Sequence, residues 1–468
     1  PPPPPPPPPI PPPPPPHTHT SRCSSAASDV YKRQPEGSVR GAARRGCLAS
    51  LAPGRPASAQ RVGAGSPTIF VPPPEADASR DSPLRATVND RYDAIVVGVG
   101  AMGSAALYHL ARRGLRVLGI ERHGIAHDRG SSHGESRILR LAYFEHPSYV
   151  PLARRALELW RALERVSGER LFVRTGGLDG GPEGDPIFTG SLESCRLHDL
   201  EHEVLDGSAL RTRFPAFRVP RDYRFVFQPD AGVLHPERCI EAHARMAEAL
   251  GAELVTGHPV LGWTETGQGV QVEVEGHGPC RADTVILTTG AWSSAFLPED
   301  GPRLRVERQV TAWLAPPDPE AFRPERFPVF NMEIAGGHHY GFPVLDGRGP
   351  KVGRFGHLQE EVDPDTLRRE ATAADRTLLQ GFADLHLRGA GPIAETAPCM
   401  FTYSDDTDFV VDRIPGTSAV VGCGFSGHGF KFASVIGKAL AGLALGDDPD
   451  PDIQHLRWGR PTLVSPGS

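Results

Sequence analysis

Three glycines, Gly98, Gly100 and Gly103, stand in the spacing GxGxxG directly after the apolar run AIVV at 94–97. Each glycine answers a different need. The first permits a tight turn, the second admits a pyrophosphate to the backbone, and the third lets a following helix lie close to a sheet. Glu121 comes 23 residues after Gly98 and ends a second apolar run. A carboxylate there accepts hydrogen bonds from an adenosine ribose and repels a 2′-phosphate. This is dinucleotide-binding chemistry. The next stretch is polar and carries His133, Arg137, Arg140 and Tyr143. An NAD site would continue with another short βα unit; a loop with a histidine and two arginines suits a flavin ring with cations beside it. Arg137 and Arg140 share a face if a helix starts at Glu135. A second glycine-rich turn, Gly422, Gly424, Gly427 and Gly429, contains His428 and precedes Lys431. It suits a ring system or pyrophosphate resting on helix-end amides. Cys399 sits alone between a proline and a methionine. By itself it reads first as a small buried hydrophobe and only second as a reactive group.

These residues need a doubly wound sheet to bring them together. Residues 94–97 and 117–120 read as buried parallel strands around a helix at 104–113, which Gly114 stops. Ala105, Leu107, Leu110 and Ala111 form its inward face. A helix over 151–165 follows, then a loop, helix and strand from 230 to about 263. Thr288, Thr289 and Gly290 end an apolar strand, the place where such a sheet holds its ligand. Strands between 306 and 357 with a helix near 364–386 read as a mostly antiparallel second domain. The expected organisation is α/β: a Rossmann-like FAD-binding domain of 89–170, 231–305 and 388–460, interleaved with an α+β substrate domain of 171–230 and 306–387. Residues 1–88, where fifteen of the first sixteen are proline, are expected to be a disordered or non-native tail with no function.

Composition narrows the partners. A net charge of −6 with no basic stripe argues against nucleic acid. Cys23, Cys47, Cys195, Cys239, Cys280, Cys399 and Cys423 make no CxxC pair, so no metal site is expected. No apolar run of 18 residues occurs, and a cytoplasmic location is expected.

Taken in order, "IVVGVGAMGSAA", "GSSHGESRILRLAY", "DAGVLHPERC", "TTGAWSS", "YGFPVLDGRGPKVG", "CMFTYSDDTDFVVDRIP" and "GFSGHGFKFA" resemble the monomeric sarcosine oxidase and N-methyltryptophan oxidase family of FAD-dependent amine oxidases. The resemblance runs from 91 to about 460. It implies FAD joined through its 8α-methyl group to Cys399. The cofactor would be held by Gly98, Gly100, Gly103, Glu121, Arg122, Ser132, His133, Arg137, Gly290, Gly427, His428, Gly429 and Lys431. It also implies that Arg140 and Lys431 clamp a substrate carboxylate, that Tyr340 lines the pocket, and that Lys351 activates dioxygen. The implied reaction takes a hydride from a secondary N-methyl amino acid, with dioxygen as electron acceptor, hydrogen peroxide as product and a monomer as the working form. The alternative is a related amino-acid or imino-acid dehydrogenase with a different electron acceptor. Three positions depart from the family pattern: Ser132 replaces a histidine, Phe401 replaces a tyrosine, and either Phe355 or His357 stands for the pocket histidine.

Overall fold

The computed structural model describes residues 91–334 and 336–463; the proline-rich segment 1–88 lies outside them. Two large sheets organise the chain. In the first, Arg91–Val97 is the central strand, flanked in parallel by Val117–Glu121 and Cys280–Leu287. Glu253–Thr256 extends the sheet on one side and Ala419–Cys423 on the other, both parallel. Ala94, Ile95 and Val96 are fully buried on both faces, as an apolar run without alternation requires. The helix Ala101–Ala111 is buried at all eleven positions rather than on one face. It packs against the helices Pro236–Ala249 and Ala433–Ala444. Close approach to the latter depends on Gly437, where a Cβ would lie 2.4 Å from that of Ala105.

The second sheet has the order Ile393–Ser404, Leu304–Leu314, Lys351–Arg354, Gly337–Phe342, Val329–Ile334, Gly177–Gly181, Arg224–Gln228 and Glu203–Asp206. All its pairs are antiparallel except Val329–Ile334 with Gly177–Gly181. The helix Ala373–His386 packs on it. That helix starts later than the periodicity predicts because Thr372 and Asp375 form a reciprocal capping box. Its Leu379 and Phe382 join Phe322, Phe327 and Phe330 in a separate core.

Two expectations need correction. The segment beginning at 388 does not return at once to the first sheet, because Ile393–Ser404, which carries Cys399, pairs along Leu304–Leu314 in the second. The return comes at Val410–Arg413 and Ala419–Cys423. Nor does a helix start at Glu135: Arg137–Leu139 is a strand paired with Gly232–Leu234. Arg137 and Arg140 therefore do not share a helix face.

No helix among the described residues is long and apolar enough to cross a membrane. No group of three or more His, Cys, Asp and Glu side chains among them is placed to hold a metal ion.

Candidate active site

A long cavity of about 460 Å³ opens at the carboxyl ends of the parallel strands. Gly98, Gly100, Glu121, Arg122, Ser132, Arg137, Gly290, Gly427 and Gly429 all line it. Gly98 has a φ of +85°, and a Cβ there would stand 2.6 Å from the Thr288 carbonyl. A Cβ on Gly103 would strike the Gly98 carbonyl at 1.9 Å, whereas one on Gly100 would meet nothing within 4 Å. Two of the three glycines are thus demanded by the protein's own packing, and the third keeps the cavity floor clear. Glu121 Oε2 accepts from Val99 N–H at 2.8 Å and Oε1 from His123 N–H at 3.0 Å. Burial opposes its charge, but these bonds and His127 outweigh it and hold the carboxyl below its ordinary range. Arg122 lies at the rim, 2.8 Å from Asp365 and over Trp292.

A second cavity, of about 80 Å³, shares Arg137, Phe401, Gly427 and Phe430 with the first. Around it stand His133, Arg140, Tyr340, Lys351, Cys399, His428 and Lys431. Three separate parts of the fold converge here: the loop after the second strand, the antiparallel sheet and the late glycine-rich turn. Arg137 is held by the carbonyls of Ser131, His133 and Ser136 at 2.7–2.8 Å. Lys351 Nζ donates to Gly134 O at 2.7 Å and Ser136 O at 3.2 Å. Burial, helped by the Arg137 charge, pushes the Lys351 amine well below its ordinary value. Burial also raises the Cys399 thiol, against the pull of Arg137 and Lys351. The same effect keeps the Tyr340 hydroxyl protonated.

Arg140 differs from the expected free clamp. It is buried, and its guanidinium meets Glu145 at 2.6 and 2.8 Å with Asp179 3.8 Å away. Burial disfavours charge on Glu145, yet Arg140 holds that carboxyl down at about 2. Burial raises Asp179, which accepts from Asn331. Lys431 Nζ donates to His428 O at 2.7 Å. Desolvation, then Arg140, lower its amine to about 7. His428 faces the Tyr143 hydroxyl at 2.5 Å, and burial lowers it to about 4.

Of the two candidates for the position after Lys351, Phe355 lines the cavity and His357 does not. Phe355 stacks on His338 and packs against Phe401. His357 lies behind it, 2.7 Å from Asp375, which also holds Arg308 at 3.1 Å. Glu145 and Asp179 escaped the sequence reading. A compositional signal for the cations was available: the chain has only four lysines among fifty basic residues, and two of them are buried at this cavity. Lysine rather than arginine is the cation whose charge burial can tune.

Three buried polar atoms on residues lining these cavities have no partner among the described residues: Thr402 Oγ1 in the long cavity, and His133 Nε2 and His338 Nε2 in the small one. Buried polar atoms without partners are the groups a polar ligand would satisfy. The sequence pattern of the family described as DAO, FAD dependent oxidoreductase, matches residues 93–443. The chain belongs to that family. This FAD-dependent oxidoreductase is 37% identical over 383 residues to monomeric sarcosine oxidase of a Bacillus species, covering 80% of this chain and 98% of the relative. It is 35% identical over 377 residues to N-methyl-L-tryptophan oxidase of Citrobacter koseri, covering 79% and 99%. Among solved structures it matches NikD, an unusual amino acid oxidase essential for nikkomycin biosynthesis, with TM-score 0.69 and 27% identity over 80% of this chain and 98% of that one. The long cavity fits FAD: its glycine floor and Glu121 match a dinucleotide, and Thr402 Oγ1 on its wall is a polar atom free to meet it.

Proposed function

We propose that this enzyme oxidises small secondary amino acids of the sarcosine type, using dioxygen as acceptor. The observation that carries the reading is the cavity of about 80 Å³, which is lined by Lys431, Lys351, Tyr340 and Cys399 and shares Arg137, Phe401, Gly427 and Phe430 with the long cavity. A cavity of about 80 Å³ suits a small substrate rather than one with a large side chain. Sarcosine is small; an N-methyltryptophan has almost three times as many non-hydrogen atoms.

FAD, when bound, accepts a hydride equivalent from the substrate carbon and passes the electrons to dioxygen, giving hydrogen peroxide. The protein's part is positioning and charge. Lys431 takes the substrate carboxylate, with Arg140 and its partners Glu145 and Asp179 behind it. Phe355, Phe401 and Phe430 exclude water around the reacting carbon. His133 and Arg137 border the ring, with Arg137 fixed by three carbonyls to stabilise negative charge there. The carbonyls of Gly134 and Ser136 that accept from Lys351 favour its charged form against burial, so that it supplies positive charge for the developing oxygen anion. Cys399 is the proposed attachment point of a covalent flavin. The imine product leaves the site and hydrolyses to formaldehyde and the amino acid.

The test is peroxide release from sarcosine, N-methyltryptophan and a cyclic imino acid under one set of conditions. The smallest substrate should give the highest kcat/KM. If none of the three bleaches the flavin anaerobically, the reading is wrong. If bleaching occurs but air does not restore the colour, a dehydrogenase with another acceptor replaces the oxidase.

A further inference from the structure

The peptide that holds Lys351 is itself held by a carboxylate from another element. Glu237, half-buried in the first turn of the helix Pro236–Ala249, accepts from Gly134 N–H at 2.6 Å. It also accepts from Glu135 N–H at 3.1 and 3.2 Å. Gly134 and Glu135 have φ of +95° and +67°, so their successive N–H groups converge on one anion, as in a backbone nest. A non-glycine residue at positive φ is strained, and a strained turn persists only where its surroundings hold it. The Glu135 side chain offers a weaker hold, an exposed pair with Arg348 at 3.1 Å. The opposite side of the same turn faces the cavity. There the Gly134 carbonyl takes Lys351 Nζ, the Ser136 carbonyl takes it as well, and the His133 carbonyl takes Arg137.

We propose that Glu237 is a positioning residue: its carboxylate locks the Gly134–Glu135 turn so that the turn's carbonyls aim the Lys351 ammonium into the small cavity. Its kinetic consequence rests on the reading of Lys351 as the oxygen-side cation; its geometric consequence does not.

Glu237→Gln keeps one acceptor oxygen and removes the charge, and Glu237→Ala removes both. With four lysines in the chain, lysine labelled at the ζ-nitrogen gives few resonances, and Lys351→Met assigns the one in question. In the flavin-loaded enzyme, Glu237→Gln should displace the Lys351 resonance and leave that of Lys431 in place. Reoxidation by dioxygen should slow several-fold in Glu237→Gln and roughly tenfold or more in Glu237→Ala, while flavin reduction by substrate stays within about twofold. If the alanine variant fails to fold, the glutamine variant decides alone. A Lys351 resonance that does not move in Glu237→Gln overturns the proposal. If the resonance moves but neither Glu237→Gln nor Lys351→Met slows reoxidation, the positioning stands and the oxygen role of Lys351 falls.

Discussion

Arg140 carries Glu145 on two hydrogen bonds of 2.6 and 2.8 Å at the wall of the small cavity. The charge of the arginine is therefore already balanced within the protein. Lys431, beside it, is a cation whose state can change, with its amine lowered to about 7 by desolvation and by Arg140.

The first prediction concerns that amine. A bound carboxylate favours the protonated form, and Arg140, Glu145 and Asp179 are the other charges facing it. Below pH 7 the charge is already present. Above pH 7 binding must first protonate the lysine, so affinity should fall about tenfold per pH unit. Titrating the flavin spectrum with acetate, which lacks an amine of its own, measures this directly. Lys431→Arg should remove the pH dependence and Lys431→Met should remove the binding. A flat profile in the unmodified enzyme would deny Lys431 its place in the carboxylate site.

The second concerns Cys399, which lines the small cavity and makes no disulfide among the described residues. Acid-precipitated enzyme should keep its yellow colour, and Cys399→Ser should lose it to the supernatant. Replacing sulfur by oxygen in a buried site costs little packing, so the melting temperature of the variant reloaded with FAD should stay within a few degrees. Colour in the supernatant of the unmodified enzyme would make Cys399 an ordinary buried thiol.

How much of this was legible in the sequence depended on range. The strand, glycine turn, helix and second strand from Arg91 to Glu121 are local, and each residue type there has a local reason. The strand status of Arg137 was not legible. A spacing of three looks helical, but Glu135 takes a positive φ and Gly232–Leu234 offers a pairing edge. Nor could Glu145 be assigned to Arg140, because the choice of partner is made by the turn through Ala142, whose carbonyl also binds the guanidinium. Cys399 fell within the segment 388–460 expected in the FAD-binding domain, yet its strand is fixed by eleven positions of pairing with Leu304–Leu314. Such pairing between distant segments leaves no mark on either alone.

A third prediction separates the glycines of the first turn. Gly103→Ala puts a methyl 1.9 Å from the Gly98 carbonyl, and backbone on backbone cannot relax cheaply. Stability should fall by about 3 kcal/mol or more. Gly100→Ala meets no protein atom, so it should melt within about 1 kcal/mol of the parent. It should nevertheless purify with far less flavin if, as proposed, the pyrophosphate lies over Gly100, where the methyl would project. Equal flavin content in Gly100→Ala and the parent would place the pyrophosphate elsewhere.

The last concerns acid stability. Asp406 receives Arg460 on both oxygens at 2.7 Å, and Arg460 also donates to the carbonyls of Asp408 and Phe409. Burial would raise the Asp406 carboxyl, but Arg460 and Thr462 hold it at about 2 in the folded chain. A depressed folded value means that the unfolded chain binds the proton first as pH falls. The pair thus contributes fully above the ordinary aspartate value near 4 and loses its contribution as pH drops toward 2. Both side chains are about nine-tenths buried, so removing one leaves the other without its counter-charge. Arg460→Ala should cost about 3 kcal/mol at pH 7, read as a loss of melting temperature, and the gap from the parent should narrow as pH is lowered from 4 toward 2. A gap that stays constant across that range would mean that Arg460 acts through its carbonyl contacts and not through the carboxylate.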